Sequence, residues 1–197
     1  RHRRRFNEIG TLRFELFDNG INAQQAVAQA LQFKKAWLRK YGYNCTICNR
    51  VNSSLLTAIA RGGKNPVQSL VSVLYLDAEP IAIEVGFGWM KHHYAHIGAY
   101  NPWFAKFGPG KILMEETIST LMARGFETYD QIAPADSYKR EWETSLVGVR
   151  DHALPVNLRG MTHMGLYLKL IRPGIKNVYQ QLPEPVRQRL NRFAESA

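Results

Sequence analysis

Leu12, Phe14 and Leu16 alternate with Arg13 and Glu15 over residues 11–17, the two-residue period of a strand with one buried face. Asp18-Asn19-Gly20 interrupts it as a turn. The period then changes. Ala23, Ala26, Val27, Ala30, Leu31, Phe33, Trp37, Leu38 and Tyr41 recur every three or four residues, which predicts an amphipathic helix over 22–41 with Asn22 as N-cap. A second helix is predicted over 53–60, stopped at Arg61-Gly62-Gly63. Three β-rich runs follow, 67–76, 80–89 and 92–100. Asp77-Ala78-Glu79-Pro80 joins the first two as a hairpin, and Met90-Lys91 joins the second and third. Leu113, Met114, Ile118, Leu121 and Met122 line one side of a helix over 110–124 that Gly125 ends. Residues 126–132 and 144–150 read as strands and 137–142 as a short helix. Two basic helices, 159–171 and 184–195, are separated by Arg172-Pro173-Gly174.

Successive strands with short turns are antiparallel, whereas the strand–helix–strand step over 92–131 needs a parallel crossover. The order therefore predicts a mixed α/β (α+β) domain with a mostly antiparallel central sheet flanked by helices. It excludes a doubly wound parallel sheet. The expected organisation is a basic connecting segment at 1–10, a domain at 11–158 and basic C-terminal helices at 159–197.

With 197 residues, the chain suffices for one full domain. No run of 18 apolar residues exists to span a membrane. Net charge is +10, unevenly placed: residues 1–5 carry four arginines, and 150–197 carry eight basic and three acidic groups. A nearly neutral middle argues against a basic nucleic-acid-binding face and leaves the ends for a polyanion or an acidic surface. The simplest reading of RHRRR is a solvated connecting segment. The chain begins at Arg1, with neither an initiator Met nor a signal segment, and is read as a piece of a longer polypeptide. Two cysteines fit a reducing, cytoplasmic compartment. Cys45-Thr46-Ile47-Cys48 supplies only two zinc ligands, and His92 and His96 on a strand do not make the rest of a finger, so no metal is expected.

Gly108-Pro109-Gly110 opens the helix over 110–124. Proline suits a first helical turn, and glycine lets a ligand approach the backbone. The unpaired amides of such a turn attract a diphosphate, and Lys111 adds a charge that an isolated helix would disfavour there. Trp103, Phe104 and Phe107 either wall a pocket or pack this loop on the core. Glu84, inside the apolar run IAIEVGF, either is buried as a general base or points to solvent. His92 and His96 are expected on one face of their strand and His93 on the other. His96, nearer the strand end, is the favoured base.

In element order the chain resembles the GNAT acyltransferase fold. More closely it is similar to the acyltransferase domain of FemAB-like proteins, in the cellulose-biosynthesis-associated (CelD-type) branch. The motifs that carry this are RRR at 3–5 before E-x-G at 8–10, VLYLDAEPIAIEVG, AYNPWFAKFGPGKILMEETI at 99–118 and GFETYDQIAPADSYKREW at 125–142. Asn101 stands where the family has Asp. Ala105, with Lys106 beside it, stands where the stricter GNAT phosphate loop carries Gln or Arg. The resemblance implies acyl transfer from acetyl-CoA or another acyl-CoA to a small-molecule, sugar or peptide amine. The thioester would lie between splayed strands at 92–100 and 126–132. Donor phosphates would meet Lys106, Gly108, Gly110 and Lys111. Tyr138 would be the acid and Lys139 a phosphate, carboxylate or oxyanion partner, with Asp130 orienting Lys139 or the amine and His96 the base. A preceding tandem domain and a place in exopolysaccharide or envelope biosynthesis are further implications. Two rivals are aminoacyl transfer from charged tRNA and a catalytically silent GNAT-like interaction domain.

Overall fold

The structure is a computed structural model that describes residues 2–41, 43, 45–62, 67–133, 138–150, 152–183 and 186. The chain divides into two compact units, residues 1–40 with 44–135, and residues 41–43 with 136–197.

The first unit is built on a five-stranded sheet in the order β1(Leu12–Phe17), β2(Gln68–Leu76), β3(Glu79–Trp89), β4(His92–Tyr100), β5(Thr128–Asp130). The first three pairings are antiparallel and β4–β5 is parallel, as the short turns and the helical crossover require. Alternation sends Val71, Val73, Ile83, Val85, Ile97 and Ala99 to one face, against α2(Ile21–Lys40) and α3(Arg50–Arg61). On the other face, Leu74, Leu76 and Ala82 pack with Ile112 and Leu113 of α4(Pro109–Ala123). Both faces are covered, so β2 and β3 read as almost unbroken apolar runs. Asn22 falls inside α2, which starts one residue earlier, and so is not its cap.

The N-terminal residues are not a solvated connecting segment. His2–Asn7 form helix α1, whose Phe6 is completely buried between Phe104 and Phe107. The apolar side chain next to the basic block anchors it. Cys45 and Cys48, expected as reduced thiols, are joined in a disulfide, because the 3-10 turn Thr46–Cys48 brings their Cα atoms to 5.0 Å.

Among the described residues, the second unit holds a 3-10 turn (Lys139–Glu141), then α5(Leu158–Thr162), a π-helical stretch His163–Ile171 and α6(Arg172–Gln181), the last three in one continuous run. Two expectations are corrected here. Residues 145–150 form no strand, since Leu146, Val147 and Val149 are exposed and an unpaired β-prone segment has no ladder to join. Arg172-Pro173-Gly174 does not separate one helix from the next, because proline is tolerated in the first turn of a helix that takes over from the π-stretch. Most of the helix expected over 184–195 lies outside the described residues.

Gly86 shows how tightly β3 and β4 are matched. A Cβ there would fall 2.2 Å from Cε1 of His93. Gly86→Ala is expected to destabilise the domain by about 2 kcal/mol through overpacking. Urea denaturation should show this loss, and the added substitution His93→Ala should recover some of it.

Candidate active site

Strands β4 and β5 stay together for three residues only. His92, His93 and Tyr94 pair with Thr128, Tyr129 and Asp130. Beyond Tyr94, β4 runs on to Tyr100 with β3 on one side and, among the described residues, no strand on the other. A register shift accompanies the divergence. Val85 faces Ile97 while Gly86 faces Ala95, so His96 is the extra residue of a β-bulge. A bulge bends its strand and disrupts the ladder locally, and here pairing with β3 resumes at Ile97. A Cβ built on Gly98 would meet nothing within 4 Å among the described residues, so the sheet surface beside the gap is open. On the α2 side, Lys34 Nζ reaches the Gly98 carbonyl at 3.5 Å and Trp37 Nε1 donates to Tyr100 Oη at 3.1 Å.

The gap leads to the opening of α4. Asn101 Oδ1 accepts from Trp103 N–H and so caps the 3-10 turn Pro102–Phe107. Gly108 then takes a left-handed conformation with φ 70°, which an L side chain disfavours, and Pro109 starts the helix. Among the described residues no side chain caps α4, and a Cβ on Gly110 would meet nothing within 4 Å. The four residues expected to hold phosphates are thus gathered at one helix opening. Lys106 and Lys111 are exposed, with Lys106 Nζ 5.1 Å from the Phe107 ring centre. Phe104 and Phe107 pack on the core, and Trp103 is 87% exposed.

The chemistry candidates fare differently. His96 sits where the strands diverge. It is exposed as a residue, yet partial desolvation of its ring lowers its pKa below the ordinary imidazole value. Asp130 ends β5, but its Oδ1 accepts from Ile132 N–H at 2.6 Å, beside a positive φ at Ile132. That carboxylate shapes the strand's exit. Tyr138 and Lys139 belong to the second unit, Tyr138 half-exposed and Lys139 opening the 3-10 turn.

One constellation was only partly anticipated. Glu84 is 5% exposed and lies on the α4 face of the sheet, not in solvent. Its Oε1 is 3.0 Å from His93 Nε2, and its Oε2 accepts from Tyr129 Oη at 2.5 Å. The imidazole of His93, 0% exposed, stacks on the Tyr129 ring with centres 5.2 Å apart. With Glu84 Oε1 accepting from His93 Nε2–H, His93 Nδ1 is left buried with no partner among the described residues. The network spans β3, β4 and β5 under the last paired residues. The sequence does not single out Tyr129, because the β4–β5 register is not written in either strand alone. The signal was Gly86 and Gly88, two glycines on one face of β3 that leave room for a ring.

The match to known proteins agrees with these features. Residues 1–140 match the family model described as the acetyltransferase (GNAT) domain. The chain belongs to the GNAT acetyltransferase family and is an acyltransferase of that type. Among curated proteins none matches it. An aminoglycoside acetyltransferase from an uncultured soil metagenomic sample, solved with sisomicin, is 15% identical over 73% of this chain and 97% of its own, with a TM-score of 0.50. That likeness is one of fold. The ribosomal-protein-S18-alanine N-acetyltransferase of Escherichia coli is 13% identical over 66% of this chain and 73% of its own, with a TM-score of 0.44. The PaiA N-acetyltransferase of Thermoplasma acidophilum, solved with coenzyme A, is 12% identical over 66% and 86%, with a TM-score of 0.42.

Because Glu84 receives two donors, removing one leaves a charged group short of a partner. Tyr129→Phe is expected to cost about 2 kcal/mol, the value of a hydrogen bond to a charged group. A double-mutant cycle with Glu84→Gln, read by chemical denaturation, should return a coupling of similar size.

Proposed function

We propose that the chain transfers an acetyl group from acetyl-CoA to an amine by direct attack in a ternary complex. The carrying observation is the divergence of β4 from β5 after Tyr94 and Asp130. A strand edge with open backbone groups suits the amides of a pantetheine arm, and the thioester would lie in the gap beside the bulge. The opening of α4 would take the diphosphate beside the Gly110 amide, since Pro109 has none and the Lys111 amide meets the Gly108 carbonyl at 3.2 Å, with the Lys106 and Lys111 side chains adding charge.

His96, at the bulge, would accept the proton that the attacking amine loses. Its lowered pKa keeps the imidazole neutral near pH 7, the form able to do so. Backbone N–H groups of β4 beside the gap would face the developing oxyanion. Tyr138 would protonate the leaving thiolate. Lys139, following it, would steady the oxyanion or an acceptor carboxylate. These two roles rest on the place of the Tyr-Lys pair after β5 in the motif over 125–142. The same motifs support the finer FemAB-like, CelD-type kinship and a sugar or peptide amine of the envelope as acceptor. The hydrogen bond from Ile132 to Asp130 favours a positioning role for that acid over one in chemistry.

Calorimetry should detect acetyl-CoA binding, and Lys111→Glu should weaken it severalfold. An acidic residue in a first turn suits the helix dipole, so this loss would not stem from unfolding. No heat at millimolar acetyl-CoA would instead favour the silent interaction domain.

For turnover of an amine acceptor, the acid limb should follow His96. Activity should rise with pH through a value below ~6.5, and His96→Gln should abolish that limb. Tyr138→Phe should lower turnover by ~10²-fold, the scale of general acid catalysis. Turnover unchanged by it would refute the acid role.

A further inference from the structure

The block RHRRR is not accounted for by this chemistry, and its position is informative. Helix α1 lies against the chain just before α4. Arg5 Nη1 donates to the Lys106 carbonyl at 2.8 Å, and its guanidinium lies 5.0 Å over the Phe107 ring. His2 Nδ1 is 2.7 Å from the Phe107 carbonyl, so that nitrogen carries the proton. The His2 ring also fills the side of Gly108 where a Cβ would stand, at 2.8 Å. Arg3 ties the same helix to Glu115 at 3.0 Å and Glu116 at 2.6 Å, further along α4.

These bonds have an electrostatic meaning. The 3-10 turn Pro102–Phe107 ends immediately before α4 begins. The carbonyls at the end of a helical turn carry partial negative charge. The Ala105 carbonyl is met by the Gly108 amide. Those of Lys106 and Phe107 would otherwise stand unscreened beside the place where a diphosphate is to dock. Arg5 and His2 cover both.

We infer that α1 is a positioning element of the donor site: Arg5 and His2 cover the Lys106 and Phe107 carbonyls, so that the opening of α4 presents the Gly110 amide and the lysine charges, and not bare carbonyl oxygens, to the diphosphate. The inference rests on the donor reading above. It assigns Arg5 no contact with the donor. It also offsets Ala105 standing where the GNAT pattern has Gln or Arg, since the loop's carbonyls are covered by side chains of α1.

Acetyl-CoA titrations by calorimetry on the full chain test it. Arg5→Ala should raise the dissociation constant roughly tenfold, as loss of a charge-assisted hydrogen bond implies. Arg5→Lys should recover most of the affinity, because an ammonium can still meet the Lys106 carbonyl. Arg4→Ala, which removes the same charge from a side chain 89% exposed, should change little. Thermal melts accompany each variant. Unchanged affinity in Arg5→Ala overturns the inference. So does an equal loss in Arg4→Ala, which would reduce the effect to net charge. A melting temperature lowered alike in Arg5→Ala and Arg5→Lys, with no rescue of affinity, would make the role one of packing and also overturn it. If the wild-type chain binds no acetyl-CoA, the donor reading itself has failed, a distinguishable result.

Discussion

The architecture turns on how far one short strand is allowed to pair. β5 contributes three residues, and each further residue of pairing would close the sheet over the gap. A backbone amide or carbonyl that loses its strand partner must find another or face water. β4 beyond Tyr94 therefore carries a row of groups committed to water, to side chains such as Lys34, or to a ligand lying as a strand would. The bulge at His96 makes the divergence a built feature, since one extra residue in β4 shifts its register against β3 and bends the strand just past its last pair with β5.

A strand of three residues has little of its own to hold it. A stacked ring and one strong hydrogen bond do the holding. Tyr129 reaches under β4 to Glu84 and lies on His93, whose ring occupies the space that Gly86 vacates. Such a network is costly. A carboxylate and an imidazole are taken out of water, and His93 Nδ1 finds no partner among the described residues. An apolar cluster would secure β5 at less cost in desolvation, but with less directionality. Hydrogen bonds fix where Tyr129 sits along β3, and so where the gap begins.

Much of this was legible in the residues. The alternation at 11–17, the hairpin signals at Asp77 and Met90 and the apolar side of 110–124 gave the strands, their directions and the crossover. Gly108-Pro109-Gly110 marked the opening of α4 because both residue types have few other uses in that setting. What was illegible depended on partners distant in sequence. Residues 144–150 have the composition of a strand and, among the described residues, no neighbour to pair with. RHRRR has the composition of a solvated segment, yet Phe6 at its end is buried between two rings more than 95 residues away. Asp130 matches an acidic motif position, but its carboxylate meets its own chain two residues on.

The basic N-terminus then bears on the choice among acyl donors. Four arginines in five residues suggest a site for a large polyanion such as tRNA, whose affinity would come from releasing counterions over many phosphates. Of the three described arginines, two are used locally. Arg3 is held by two glutamates, and Arg5 lies on a carbonyl and a ring. Arg4 faces solvent near Glu8. Charges already matched within the domain contribute little to neutralising an RNA backbone. A compact dianion at one helix opening asks for no such surface, only for an opening whose neighbouring carbonyls are covered. The balance of α1 therefore favours a small nucleotide-linked thioester over a charged tRNA as donor.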